Sequence, residues 1–282
     1  MTVPASQAKR IQNSRKNLSK KKEEFLLKPI EPSKRQEVAH RNALLGAVAK
    51  TKDIVLEEYS KASSLQAAKD RIDELYSEMA WWDELNTQAK GFVSEWNATH
   101  AEAFYETTTT ATGINVAGFV SEQGIGDLMN ALVETNVDQI TDLKEASRKR
   151  VIDLVNNSLT GQESKSPTLA ASIKEAFNGV TTNQARFIAR DQTQRAVNGM
   201  NRFRQERAGI EKYKWVTSRD SRVRDNHAKM DGLEVEWKTG KIIKTPLSIK
   251  RGLAGKNVKK VAGGHIGQDY QCRCTASPIL EI

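Results

Sequence analysis

Apolar side chains recur at helical spacing through the first part of this 282-residue chain. Val38, Leu45, Val48, Val55 and Tyr59 fall on one stripe. Beyond Ser63 and Ser64, so do Leu65, Ala68, Ile72, Leu75, Met79, Trp82, Ala89, Phe92 and Trp96. Steps of three, four and seven place these residues on one helix face, so residues 35 to about 110 read as a long helical hairpin. The stretch "ETTTTATGINVAGF", residues 106–119, breaks the pattern with threonines and glycines and predicts a loop or a short β element. A further helix is expected from about Gly126 to Ser158, on Leu128, Leu132, Ile140, Leu143, Val151, Leu154 and Val155. "TGQESKSP" reads as a linker. A short helix over 168–178 ends near Gly179, and Thr181 or Thr182 then caps a helix that Gly209 stops.

After Gly209 the period changes. "EKYKWVTS" alternates as a strand does, and "RDSRVRDNHAKMDG" predicts one or two helical turns capped by Asp220. "LEVEW" alternates again, with Leu233, Val235 and Trp237 on one side. Residues 238–264, rich in lysine and glycine, predict an exposed loop, and "YQCRCTASPI" a closing strand. The fold class that follows is α+β, an elongated, mostly helical N-terminal region followed by a small α+β C-terminal domain. The expected organisation is a basic flexible arm over 1–34, ending in Pro29 and Pro32, that orders on a partner; a helical domain over 35–160; a linker and short helix over 161–181; and a C-terminal domain over 182–282.

Composition narrows the class. The chain is 38% hydrophobic and 28% charged, and no run approaches the roughly 20 apolar residues a membrane helix requires. No apolar stretch follows the basic N-terminus, which therefore does not read as a secretory signal, and a cytoplasmic site of synthesis and use is expected. Two cysteines make no disulfide framework, and Cys272 and Cys274 are too close in sequence to bond each other without strain, so reduced thiols are expected. The net charge of +9 conceals a pattern: residues 1–36 carry +7, 37–52 carry +2, 53–145 carry −13 and 146–282 carry +13. Basic ends suit polyanions, while the acidic middle avoids them.

The chain holds no phosphate-binding glycine loop, zincin helix or nucleophile elbow. His227, His265, Cys272 and Cys274 are the residues that can do site chemistry together. In a strand Cys272 and Cys274 share a face and Arg273 takes the other; two thiolates and two imidazoles would complete a tetrahedral zinc shell. Common zinc knuckles have two residues between the cysteines, however, and free cysteines also pack simply as small buried hydrophobes. Two histidines among lysines and arginines suit acid–base cleavage of RNA as well, which makes a nuclease or toxin-like enzyme using His227 and His265 the alternative reading. In "ARFIARDQTQRAVNGMNRFRQERAG", Arg186, Arg190 and Gln194 lie along one helical line that faces either phosphate or water. Lys20, Lys21 and Lys22 form a second basic cluster, in the arm.

One resemblance ties several of these stretches together. "ARDQT", "KWVTSRDSRVRDNHAKMDG" and "GQDYQCRC" are similar to the C-terminal domain of the Mu F-like minor head, or head morphogenesis, proteins of tailed bacteriophages. The matching positions are Arg190 and Thr193; Trp215, Asp220, Arg222, Val223, Arg224 and His227; Asp231 and Gly232; and Cys272, Arg273 and Cys274, over about residues 182–278. Family members commonly carry Pro-Gly before the Cys-Arg-Cys element, where this chain has Ile266 and Gly267, so His265 reads as a local feature.

The resemblance implies a non-enzymatic minor capsid component that enters the virion with the portal, lies inside the capsid after assembly in the host cytoplasm, and supports head assembly, DNA packaging or genome ejection. It further implies the portal protein, and with it the major capsid protein, as partners. Non-specific double-stranded DNA would meet Lys20, Lys21, Lys22, Arg186 and Arg190. No membrane partner and no cofactor are expected beyond the zinc that the thiols would take. Trp215, Asp220, Arg222, Arg224, His227, Asp231, Cys272, Arg273 and Cys274 are expected to form a structural cluster. Trp81, Trp82 and Trp96 are expected either to form a docking surface on the long helices or to lie in the core.

Overall fold

The computed structural model describes residues 24–118, 120–269 and 271–281. Among them, no helix is long and apolar enough to cross a membrane. The fold is α+β. Six helices make up the larger part: α1 (Lys34–Lys61), α2 (Leu65–Glu78), α3 (Ala80–Thr112), α4 (Ile125–Thr160), α5 (Pro167–Ala176) and α6 (Thr182–Arg207). Ser33, Ser64 and Ser166 cap α1, α2 and α5 by accepting from the backbone N–H three residues on. The apolar stripes of these helices meet in one core that includes Leu44, Val55, Ile72, Trp82, Leu143 and Val155.

Two breaks expected in the helices are absent. The threonine run of residues 106–112 continues α3, because the hydroxyls of Thr108 and Thr112 turn back onto the carbonyls of Phe104 and Thr108, each at 2.7 Å, and leave the backbone ladder intact. The helix stops at Gly113, whose φ of +69° suits glycine. Likewise α5 runs into α6 through a π-helical turn, Phe177–Thr181. Thr181 and Thr182 cap nothing; their hydroxyls donate to the carbonyls of Ala176 and Phe177 five residues back.

The smaller part is built on a four-stranded antiparallel sheet of order β1-β4-β2-β3, with β1 Glu24–Leu26, β2 Lys212–Val216, β3 Glu234–Glu236 and β4 Thr275–Glu281. Tyr213 pairs with Pro278 on one side and Val235 on the other, and Trp215 with Ala276. Leu233, Val235 and Trp237 are all buried, as their alternation predicts. Three short helices, α7 (Asp225–Ala228), α8 (Pro246–Lys250) and α9 (Val258–Ala262), complete this part. The lysine-rich segment is thus not a bare exposed loop: Thr245 and Ser248 form a capping box on α8, Asn257 caps α9, and Ile242, Val258 and Ala262 enter the core. The segment expected to be a flexible arm contributes β1 at the sheet edge, Phe25 opposite Leu280, and buries Leu27 and Ile30. Lys20, Lys21 and Lys22 lie outside the described residues.

Helix α6 joins the two parts. It packs on α1, α3, α4 and β4, and it is buried along most of its length although it is rich in polar residues. Several of those residues are bonded across to other elements, whereas Thr193 turns back onto the Ala189 carbonyl of its own helix and the buried Gln192 amide has no partner among the described residues. Gln194 and Asn198 both donate to the Cys274 carbonyl at 3.2 Å, Asn201 donates to the Ile30 carbonyl at 3.1 Å, and Gln205 accepts from the Trp237 indole at 2.9 Å. Gly267 crosses the same helix at φ +82°, where a Cβ would lie 2.5 Å from that of Asn198. Any side chain there would push the loop before Cys272 off α6.

Trp82 and Trp96 are 1% exposed and belong to the core, so they do not form a docking surface. Trp81 lies half-buried beneath Lys50 and donates to Thr51. Near Trp96, His40 is fully buried against Phe92 and Trp96, with ring centroids 4.7 and 5.5 Å away. Neither of its ring nitrogens has a hydrogen-bond partner. A buried polar group without a partner costs about 1–3 kcal/mol, so His40→Leu is expected to stabilise the chain by about 1 kcal/mol in urea unfolding at pH 7. A lower midpoint for the leucine variant would refute this.

Candidate functional site

Where β2 ends, the chain turns through residues 217–224 into the single turn of α7. Asp220 does not cap this helix; Arg224 holds the N-cap position. Instead the Asp220 carboxylate closes the turn by accepting from the Arg222 N–H at 3.0 Å, and it is gripped by both terminal nitrogens of Arg273. This fork, with the Arg222 N–H and guanidinium, holds the Asp220 carboxyl well below the usual carboxylate range, although burial acts against it. Asp231 performs the matching task at the far end of α7, accepting from the Thr217 N–H at 2.9 Å and its hydroxyl at 3.0 Å. Arg224 reaches Asp269 at 2.5 Å.

These ionic ties aim His227. It is 3% exposed, and the Trp215 indole stands edge-on to it at 5.4 Å between centroids. Its Nε2 faces the Ala262 carbonyl at 3.2 Å and the Asp269 carboxylate at 3.3 Å. Its Nδ1 faces both sulfurs, Cys272 Sγ at 3.7 Å and Cys274 Sγ at 3.6 Å. Both cysteines are free and buried. They precede β4 rather than lying in it, but the alternation holds: Arg273 between them turns to Asp220.

Two thiols in contact cannot both ionise. The hydrogen bond from Cys274, seconded by His227, pulls the Cys272 thiol below its ordinary pKa, and Cys274 is correspondingly pushed up. At His227 burial works to lower the pKa, and Cys272, the Ala262 carbonyl and Asp269 together outweigh it and raise it.

Above the cluster opens a cavity of about 230 Å³ lined by Arg190, Arg222, Arg224, Arg273 and Gln271, with His227 and the two cysteines as its floor. Arg190 is bonded to the Gln271 side-chain carbonyl. Burial and the neighbouring charges of Arg273 and Arg222 lower its pKa.

Other expected site residues lie elsewhere. His265 is absent from the cluster: its Nδ1 meets the Tyr213 hydroxyl at 3.1 Å, its ring lies beside Trp237, and it lines a different cavity. It therefore completes neither a four-ligand zinc shell nor a catalytic pair with His227. The line Arg186, Arg190, Gln194 does not present one face to phosphate, because Arg186 is exposed, Arg190 turns into the cavity and Gln194 is buried against Cys274.

A second polar centre was not foreseen. Arg204, 1% exposed, donates to the Glu122 carboxylate at 2.9 and 3.0 Å, to Asn97 at 2.7 Å and to His100 Nδ1 at 2.9 Å, while His100 Nε2 bonds Asn201 at 3.0 Å. The available signal was His100 itself, four residues after Trp96 and four before Phe104, inside an apolar stripe.

Comparison with known proteins agrees with this anatomy. The family described as Phage Mu protein F like protein matches residues 149–277, from the second half of α4 into β4, and so begins upstream of the resemblance drawn from the motifs. An uncharacterized protein of Haemophilus influenzae is 27% identical over 268 residues, which cover 90% of this chain. The chain spans about half the length of that curated relative, 55%. No solved structure matches. Residues 149–277, which contain Arg190, the Asp220–Arg273 fork and the cluster of His227, Cys272 and Cys274, are similar to the family described as Phage Mu protein F like protein.

Proposed function

We propose that the chain is a minor head protein of a tailed bacteriophage, a non-enzymatic component held at or near the portal inside the capsid, that supports head assembly, DNA packaging or genome ejection. The family match over residues 149–277 carries this reading. The distribution of charge supports it. The half of the chain from residue 146 carries +13 and would tolerate packed phosphate, with Arg186 exposed on α6 and the arginine-lined cavity nearby. The acidic stretch over 53–145, most of it on α2, α3 and α4, would face basic surfaces of portal or capsid protein. His227 and His265 line different cavities, which weighs against the pair on which a nuclease reading rested.

Mass spectrometry of purified particles tests the assignment: the chain is expected at low copy number, cross-linked to portal protein, and its absence from particles would overturn the proposal. DNA contact has its own test. Retention on double-stranded DNA should fall steeply with salt, and Arg186→Ala should reduce the slope of log K against log salt by about one. A flat salt response would exclude phosphate contact.

A further inference from the structure

We propose that His227, Cys272 and Cys274 form a zinc site with three protein ligands, whose fourth position opens into the arginine-lined cavity and is taken by water or a small anion. The inference concerns the chemistry of this chain alone and stands independently of where the chain sits in a virion.

The distances are those a zinc ion sets. With Zn–S of about 2.3 Å and Zn–N of about 2.05 Å, a tetrahedron has S···N edges of about 3.6 Å and an S···S edge of about 3.8 Å. Here the S···N separations are 3.7 and 3.6 Å, and all three donor atoms lie within 4.8 Å of one another. A thiol hydrogen bond accounts for one such contact, not for both, because the single lone pair of Nδ1 accepts one S–H at a time. An ion at the centre of the three atoms engages all of them.

The imidazole is already oriented for this. Its Nε2 is committed to the Ala262 carbonyl and to Asp269, which leaves Nδ1 without a proton and aimed at the sulfurs. A carboxylate or carbonyl on the far nitrogen is the arrangement that holds a histidine ligand in its tautomer. Arg224 in turn holds that carboxylate. Two thiolates and one imidazole are a soft donor set that selects zinc over the hard divalent cations, and they cancel the charge of the ion within a buried site. Among the described residues no further histidine, cysteine or carboxylate joins the three. The remaining position faces the cavity, whose guanidinium groups favour an oxygen donor carrying negative charge.

The test is elemental analysis of the full chain purified without chelator, followed by chelation and titration with Co²⁺. About one equivalent of zinc per chain is expected, together with a near-ultraviolet thiolate-to-cobalt charge-transfer band and visible bands of tetrahedral intensity in the cobalt form. Cys272→Ser/Cys274→Ser should abolish both, and His265→Ala should keep both. Less than a tenth of an equivalent of zinc, with no charge-transfer band on adding Co²⁺ to the wild-type chain, would overturn the site. So would metal retained by the double serine variant, or metal lost from His265→Ala. The cobalt spectrum of the wild-type chain decides the matter even where a ligand variant does not fold.

Discussion

Lowering the pH from 7 to 4.5 is expected to depress the thermal unfolding midpoint by roughly 10 °C, because two fully buried imidazoles stay neutral in the fold. Burial pushes His40 down to about 4. Burial, with the adjacent Arg204 charge, pushes His100 down to about 3, although the bond to Asn201 acts the other way. In the unfolded chain both titrate near 6.5. Between that value and their folded pKa values the unfolded state binds protons that the folded state refuses, so stability falls as pH falls. Each contributes a slope of up to about 1.4 kcal/mol per pH unit, and by pH 4.5 the two together cost about 5 kcal/mol.

Other groups bear on this window. His265, lowered to about 4 by burial and by Arg202, is only partly buried and adds a smaller effect of the same sign. In the chain without metal His227 runs opposite: its raised pKa contributes stability that is fully present below 6.5 and lost as pH rises through its folded value. Asp220 does not enter, since its depressed pKa protects it until far below this range. Calorimetric scans at half-unit pH steps measure the slope, and His40→Leu should remove close to half of it. A midpoint unchanged between pH 6.5 and 4.5 would show that the two imidazoles charge freely in the fold.

Replacing Arg204 with methionine is expected to destabilise the chain by about 3 kcal/mol, the cost of leaving the buried partners of a buried guanidinium unpaired. The guanidinium is 1% exposed and is the only group that reaches Glu122, Asn97 and His100 at once among the described residues. Its loss strands an amide oxygen and a ring nitrogen at the junction of α3, α6 and the 113–124 connection, and leaves Glu122 to the Tyr105 hydroxyl and water. Lysine should rescue little, because a point charge cannot aim donors along these four fixed directions. Glu122→Gln should cost less, about 1 kcal/mol, since Glu122 is 37% exposed and water can replace it. Urea unfolding of the three variants gives the ranking directly. Equal losses for Arg204→Met and Glu122→Gln would mean that the ion pair alone matters and the contacts to Asn97 and His100 do not.

Both effects arise at residues that pattern reading passes over. The stripe from Val48 to Trp96 was legible because period and burial largely coincide there, whereas Val38 and Leu45 are only half-buried and Gln36, His40 and Leu44 take the inward positions of α1. His100 sits on that stripe at the same period, yet polarity hides it from a search for apolar positions. Helix α6 shows the difficulty in full: its charged and amide residues suggest a solvated face, and only the elements packed around it supply the partners that make Gln194, Asn198, Asn201 and Arg204 inexpensive to bury. The threonine run of residues 106–112 misled for a related reason, since hydroxyls that satisfy themselves on the preceding turn carry no signal in a propensity count.

Read alone, the chain determined its α+β class, most of the helix faces that turn inward, the strands of Lys212–Val216 and Glu234–Glu236, and the motif residues of the segment similar to the phage family. These depend on local spacing, and local spacing is written in order along the chain. The tertiary structure decided which of those residues meet: His227 with the two sulfurs 45 and 47 positions later, His265 at another cavity, and Arg204 against polar groups of α3 and of the 113–124 connection. Periodicity says which way a side chain points from its own element, whereas a site depends on where the segment between β3 and Cys272 carries the next element, and that path is set by packing across the fold.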